Sequence, residues 1–393
     1  MSYKVMVNSF RTLSYVGSYK KIRDRPYRLY CAALLGAGYV AYTQHKQNNA
    51  SMKEIIQLQK YMAEPITPLS QLEQNQEDMK TQMELLIMRI QAEFCRALEK
   101  EEDEEAKFKV DRWQRKEGGG GITCVLQDGR VFEKAGVNIS VVSGTLPPAA
   151  VQQMRSRGKN LQNTELPFFA AGVSAVIHPR NPMVPTIHFN YRYFEVQDKD
   201  GVQWWFGGGT DLTPYYLNEE DAVHFHLTLK HACDEHDPEY YARFKKWCDD
   251  YFTIPHRGER RGLGGIFFDD IDSPDQQSAF NFVTSCAEAV IPSYMPLVKK
   301  HKDEAYGYHE RQWQLLRRGR YVEFNLMYDR GTKFGLHTPQ ARYESILMSL
   351  PLNAKWEYMH ETKPNSPEEY LLKVLREPRD WLNIEQKSHR SAA

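Results

Sequence analysis

The segment Thr186-Ile-His-Phe-Asn-Tyr-Arg-Tyr-Phe-Glu195 alternates polar and aromatic residues. Side chains of an extended strand switch sides at every residue, so His188, Asn190 and Arg192 share one face and Ile187, Phe189, Tyr191 and Tyr193 the other. That face carries an imidazole able to move protons near neutral pH, an amide, and a guanidinium shaped for a carboxylate. The outer face of an edge strand gives the same pattern, but the flanking aromatics and an apolar preceding strand favour a functional face. Trp204-Trp-Phe-Gly-Gly-Gly-Thr-Asp211-Leu-Thr-Pro214 follows. Its three glycines let the backbone approach a flat ligand or make a tight bend, and Asp211 reads either as a site carboxylate or as a turn or helix cap. The run lacks the Gly-Lys-Ser/Thr ending of a phosphate loop.

Arginines gather at 257, 260 and 261, at 317, 318 and 320, and singly at 342. Surface solvation is their commoner use, but several converging on one cleft suit a polycarboxylate. Gly265-Ile-Phe-Phe-Asp-Asp-Ile-Asp272 offers a rival centre. Asp270 and Asp272 would lie ~6.6 Å apart on one face if extended, as a hydrolytic carboxylate pair or a divalent-ion site; a capped turn before a helix at Gln276 is the plainer alternative. His224 and His226 fall on different sides of an expected helix with no HExxH pattern, which argues against zinc.

The segments that must hold these residues read as strands over 122–126, 137–142, 173–177, 186–196, 203–206, 266–268 and 321–327. Helices are expected over 219–235, 239–251, 276–300, 310–317 and 342–350, preceded by an amphipathic helix from Asp78 with apolar residues at 79, 83, 86, 87, 90, 94 and 98. Strands come mostly first and helices mostly later, without βαβ alternation. The expected fold is a single α+β domain with a large, mostly antiparallel sheet.

The 393 residues balance 51 basic against 51 acidic side chains, so overall charge steers neither nucleic acid nor acidic membranes toward the chain. Six dispersed cysteines without a CxxC suggest buried free thiols. Residues 1–50 are a basic, acid-poor leader followed by the weakly apolar stretch Leu29 to Tyr42, shorter than the ~20 residues that span a bilayer. This resembles a two-part signal for the mitochondrial intermembrane space, with an N-terminal anchor or an untargeted tail as the alternatives. Residues 51–77 read as a linker, 78–381 as the catalytic domain, and 382–393 as a disordered tail.

Taken together, Glu117-Gly-Gly-Gly-Gly-Ile122, Val131-Phe-Glu-Lys-Ala-Gly-Val137, Pro185 to Glu195, Trp204 to Pro214, His256-Arg-Gly-Glu-Arg-Arg-Gly262 and Arg320-Tyr-Val-Glu-Phe-Asn325 resemble the oxygen-dependent coproporphyrinogen III oxidases. The resemblance runs from about Asp78 to Trp381. It implies oxidative decarboxylation of the A- and B-ring propionates of coproporphyrinogen III to vinyls, giving protoporphyrinogen IX, with oxygen consumed and carbon dioxide and hydrogen peroxide released. It also implies helices on both sides of the sheet, a homodimer, and no metal or organic cofactor; separately, the absence of helix-turn-helix or zinc-finger spacing leaves no nucleic-acid partner expected, and the leader is compatible with peripheral association with the inner membrane. By the same resemblance His188 is the proton donor, while Ser174, Asn190, Tyr191 and Arg192 touch substrate. Asp211 addresses the pyrrole nitrogens, and Gln340, Ala341 and Arg342 form a further contact where many relatives read Gly-Ser-Arg. A non-catalytic tetrapyrrole carrier and a hydrolase built on Asp270 and Asp272 are the other readings.

Overall fold

Segments whose apolar residues recur at every second position fold into a long meander. The computed structural model describes residues 58–382, apart from 157, 163 and 338–340. The leader, Gln340 and nearly all of the tail lie outside the described residues. Strands β1 (Lys109–Gln114), β2 (Gly119–Gln127), β3 (Phe132–Leu146), β4 (Leu166–Pro179), β5 (Thr186–Asp198) and β6 (Gly201–Thr213) pair in sequence order, each antiparallel to the next. β9 (Gly264–Ile271) joins the outer edge of β6, and β7 (Thr253–Ile254) pairs with β8 (Glu259–Arg260) in a separate hairpin.

One face of the large sheet is the core. Ile122, Cys124, Val137, Ile139, Val173, Ala175, Ile177, Ile187, Phe189 and Tyr191 are all buried there. After the short α1 (Leu69–Gln74), the long helix α2 (Met79–Glu99) lies across this face, its start capped by Asp78 accepting from the Lys80 N–H. Met83, Ile87, Ile90, Phe94 and Leu98 give it a buried stripe, and the Phe94 ring meets Phe189 edge-on at 5.1 Å. Each such buried side chain contributes about 1.5–3 kcal/mol. Gln91 donates to the carbonyls of Ile122 and Val137, which fixes the helix on the strands. Residues 58–77, expected as linker, pack on this side too: Tyr61 and Leu72 are buried, and Glu84 accepts from the Ile66 and Thr67 N–H groups.

The remaining helices are α3 (Pro148–Ser156), α4 (Glu219–Asp234), α5 (Tyr240–Tyr251), α6 (Gln276–Glu288), α7 (Val290–His301), α8 (Tyr308–Met327), α9 (Arg330–His337), α10 (Tyr343–Leu347) and α11 (Pro367–Arg376). The single helix expected over 276–300 is two, because Pro292 has no N–H to continue the ladder. Residues 321–327, expected as a strand, complete α8. Buried Trp313, Leu316, Arg317, Arg320, Tyr321 and Phe324 recur at intervals of three and four, the helical period. Gln314 and Arg318 donate to the Pro179 carbonyl and Trp313 to that of Tyr215, tying α8 to the ends of β4 and β6. The α+β fold with helices on both sides of an antiparallel sheet is as expected. None of the described helices is long and apolar enough to cross a membrane.

Candidate active site

The second face of the sheet is built differently. Along β5, His188, Asn190 and Arg192 are part-exposed, while Ile187, Phe189, Tyr191 and Tyr193 between them are 0% exposed. Register carries this polar line sideways. Ser174 on β4 stands opposite Asn190, Asn138 on β3 opposite Ser174, and Asp211 on β6 opposite His188. Gly136, Gly172, Gly207 and Gly209 fall on the same face by the same alternation, so the side chains of other elements approach the strands there: a Cβ on Gly136 would lie 2.8 Å from Met348 Sδ, and one on Gly207 2.7 Å from Arg192 Nη2. The glycine run is therefore not a bend: β6 passes straight through it to Thr213.

His188 is held from the neighbouring strand β6. Asp211 is 1% exposed and its Oδ1 lies 2.7 Å from His188 Nδ1. Arg261 Nη2 lies 2.8 and 2.9 Å from the two Asp211 oxygens. Burial by itself would raise the Asp211 pKa, but the Arg261 charge and the His188 bond hold it below the usual carboxylate range. An ionised carboxylate only accepts, so the shared proton sits on His188 Nδ1. His188 Nε2 finds no hydrogen-bond partner among the described residues, and its side chain is 21% exposed. This arrangement suits a group that takes or gives a proton at Nε2.

Four residues along the strand from His188, Arg192 donates to Asn190 Oδ1 and to Asp269 Oδ1, both at 2.8 Å. Asp269, 6% exposed on β9, also pairs with Arg330 at 3.4 Å. Asp269, Arg261 and Arg330 are not among the individual site residues expected from the sequence, although Arg261 belongs to a named arginine cluster and Asp269 to the segment Gly265–Asp272. For Asp269 a signal existed, since Ile266 and Phe268 on the core face place Phe267 and Asp269 on the polar one. For Arg261 only membership of an arginine cluster was visible.

Other expected residues fall elsewhere. The Tyr191 side chain lies on the core face, bonded to Thr210 and to the Cys286 carbonyl, so only its backbone borders the polar face. Arg342 sits just before α10, pairs with Asp111 on the edge strand β1 and lies over the Trp113 ring. Four strand spacings, roughly 19 Å, separate β1 from β5. Ala341 adjoins Arg342, and Gln340 lies outside the described residues. Segment 345–349 rests on the β1–β4 half of the face: Ser345 bonds Thr123 at 2.8 Å, and the Ser349 carbonyl bonds His178 at 2.8 Å.

The rival centres dissolve. Asp270 takes φ +53°, so it and Asp272 do not form an extended pair, and Lys159 Nζ reaches both, at 3.6 and 2.9 Å. Asp275 caps α6 by accepting from the Ser278 N–H. His226 is buried against Tyr241 and the Leu263 carbonyl, and His224 bonds the Pro292 carbonyl. Among the described residues, no three His, Cys, Asp or Glu side chains are grouped to hold a metal. A cavity of about 370 Å³ exists away from this chemistry, lined by Thr67, Leu72, Glu84, Gly119 and Phe169.

Comparison with known proteins gives the family of the chain. The pattern of the family described as coproporphyrinogen III oxidase matches residues 82–381. An oxygen-dependent coproporphyrinogen-III oxidase of Drosophila melanogaster is 75% identical over 325 residues, covering 82% of this chain and 83% of that protein. The mitochondrial enzyme of that name from Mus musculus is 66% identical over 82% of this chain and 73% of its own. The Homo sapiens one is 67% identical over 82% and 71%. With most of its length matched at such identity, the chain belongs to the coproporphyrinogen III oxidase family.

Proposed function

We propose that the chain catalyses the oxygen-dependent conversion of coproporphyrinogen III to protoporphyrinogen IX, a step of haem biosynthesis. At each of the two propionates the bond to the carboxyl carbon and one C–H bond of the side chain break. Carbon dioxide leaves, a vinyl group forms, and the two electrons released reduce oxygen to hydrogen peroxide, with one proton taken up. The observation that carries this reading is the polar sheet face, with a basic imidazole nitrogen and a guanidinium along one strand and a second arginine roughly 19 Å across the sheet. A flat ligand with peripheral carboxylates suits the β4–β6 part of this face, and reaches Arg342 only if segment 345–349, which rests on the β1–β4 half, gives way.

In this reading Arg192 and Arg342 take propionates as fork-to-carboxylate pairs, each exchanging a protein carboxylate for one of the substrate. Ser174 and Asn190 line the face between, with Tyr191 contributing backbone and Ala341 adjoining Arg342 in the chain; Gln340, the remaining expected contact, lies outside the described residues. His188 moves the proton lost from the propionate chain through Nε2. Asp211 acts through His188, since both its oxygens are already engaged and it is 1% exposed; this replaces the expected reach to the pyrrole nitrogens. The substrate, an electron-rich reduced tetrapyrrole, supplies the electrons, so the reading requires oxygen but no metal or organic cofactor.

The mammalian relatives are named mitochondrial and the basic leader agrees, which places the chain in the mitochondrion. The finer reading is the intermembrane space, with peripheral attachment to the inner membrane and a homodimeric assembly. The test is turnover by chelator-treated protein with and without oxygen, following oxygen uptake and protoporphyrin fluorescence after product oxidation. Oxygen-dependent vinyl product is expected. Tight binding without product would replace the enzyme by a carrier.

A further inference from the structure

We propose that Arg261 is a positioning residue that sets the tautomer of His188, by keeping Asp211 an anion inside the protein. The inference rests on the role given above to His188. Arg261 follows the β7–β8 hairpin, and its backbone N–H donates to the Phe252 carbonyl at 2.8 Å. Gly262 then runs so close to β6 that a Cβ there would lie 2.2 Å from the Leu212 carbonyl oxygen. The side chain is thereby driven inward, where it is 3% exposed.

The guanidinium is caged by aromatic rings. Its central carbon lies 4.0 Å from the ring centre of Phe252, 4.7 Å from that of Tyr321 and 4.8 Å from that of Phe324. Nη1 donates to Asn325 Oδ1 at 2.9 Å, which orients the fork. Nη2 then meets both oxygens of Asp211 and stands 3.3 Å from His188 Nδ1. Elements distant in sequence, the hairpin and α8, thus converge on one carboxylate.

The consequence follows from what the carboxylate would do alone. An isolated carboxyl buried to this degree takes up a proton rather than remain charged. A protonated Asp211 can donate to His188 Nδ1, leaving the ring proton on Nε2, the wrong side for a base. With Arg261 in place the carboxylate stays ionised, accepts from Nδ1–H, and leaves the Nε2 lone pair directed away from Asp211. A lysine would keep the charge but not the planar fork stacked between rings. A general base in the wrong tautomer loses about 10²–10⁴-fold in rate.

The experiment uses full-length protein with ¹⁵N-labelled histidine, the His188 signals being assigned by their loss in His188→Gln. Wild type should show a protonated Nδ1 and an unprotonated Nε2. The opposite tautomer overturns the proposal whether or not any variant folds. Arg261→Gln, checked by circular dichroism, should lower kcat about 10²- to 10⁴-fold, leave KM within about threefold, and shift the His188 signals toward Nε2–H. Arg261→Lys should keep the wild-type tautomer and recover at least tenfold of the lost kcat. A folded Arg261→Gln variant with unchanged kcat, a loss confined to KM, or unmoved signals refutes it. If wild type turns over no coproporphyrinogen III, the proposed function fails while the tautomer measurement still stands.

Discussion

Gly207→Ala isolates the placement of Arg192. A Cβ at this position would lie 2.7 Å from Arg192 Nη2, 2.7 Å from Asp269 Oδ1 and 2.8 Å from Arg192 Cζ. Ordinary contact needs nearly 1 Å more. Both obstacles are the ends of side chains and no backbone atom stands as near, so the strand can accept the methyl while the arginine and carboxylate separate. Overpacking costs about 1–3 kcal/mol, with the low end expected where flexible ends yield. The Arg192 side chain is 35% exposed, so solvent screens the Asp269 pair and little stability depends on it. Substrate binding is another matter. A charge-assisted bond to a propionate is worth about 1.5–3 kcal/mol, and a guanidinium displaced by nearly 1 Å loses most of it, roughly 10- to 100-fold in KM. Steady-state turnover of coproporphyrinogen III by product fluorescence, beside urea unfolding, reads both quantities. An unchanged KM with unchanged stability would show that Arg192 does not hold substrate from this position, and a collapse of the fold with no intact protein to assay would show that the side chains cannot yield.

Asp211→Asn leaves the buried Arg261 charge without its counter-ion, and should cost about 3–5 kcal/mol in chemical unfolding and at least about 10²-fold in kcat. Glu133 accepts from Arg318 at 2.6 Å and Arg311 at 2.7 Å; burial opposes its charge, but these guanidinium groups and Asn353 bring its pKa to about 2 from 4.5. A depressed acid stabilises the fold above its unfolded pKa, so this contribution is complete above about pH 4.5 and is lost as pH falls toward 2. Glu133→Gln should flatten that part of the stability–pH curve while lowering the plateau, as read by urea unfolding from pH 2 to 6. Sedimentation of the wild-type chain should give the mass of two copies of 45.9 kDa, and a monomer at assay concentration would remove the dimer from the reading.

Much of the fold is legible because its signals are local. Period-two alternation marks 186–196, and helical apolar spacing from Asp78 marks 79–99. Helix α11 is not among the expected helices, although the Ser366 hydroxyl caps its start by accepting from the Glu369 N–H. Residues 321–327 misread as a strand because Tyr-Val-Glu-Phe mimics alternation, whereas their partners, Arg261 and β4, lie far away in the chain. The charged edge strand β1 has no apolar face to announce it.

By itself the sequence determined which residues share a strand face, and hence that His188, Asn190 and Arg192 act from one side, because side-chain direction in a strand is a property of neighbouring peptides. Only the tertiary structure decided their partners. That Asp211 lies beside His188 follows from the β5–β6 register, that Asp269 rather than Asp270 joins Arg192 follows from the phase of β9, and that one arginine of a cluster becomes buried follows from three aromatic rings brought together by the hairpin and α8. Register and long-range packing minimise the free energy of the whole chain, and no local window of residues contains that information.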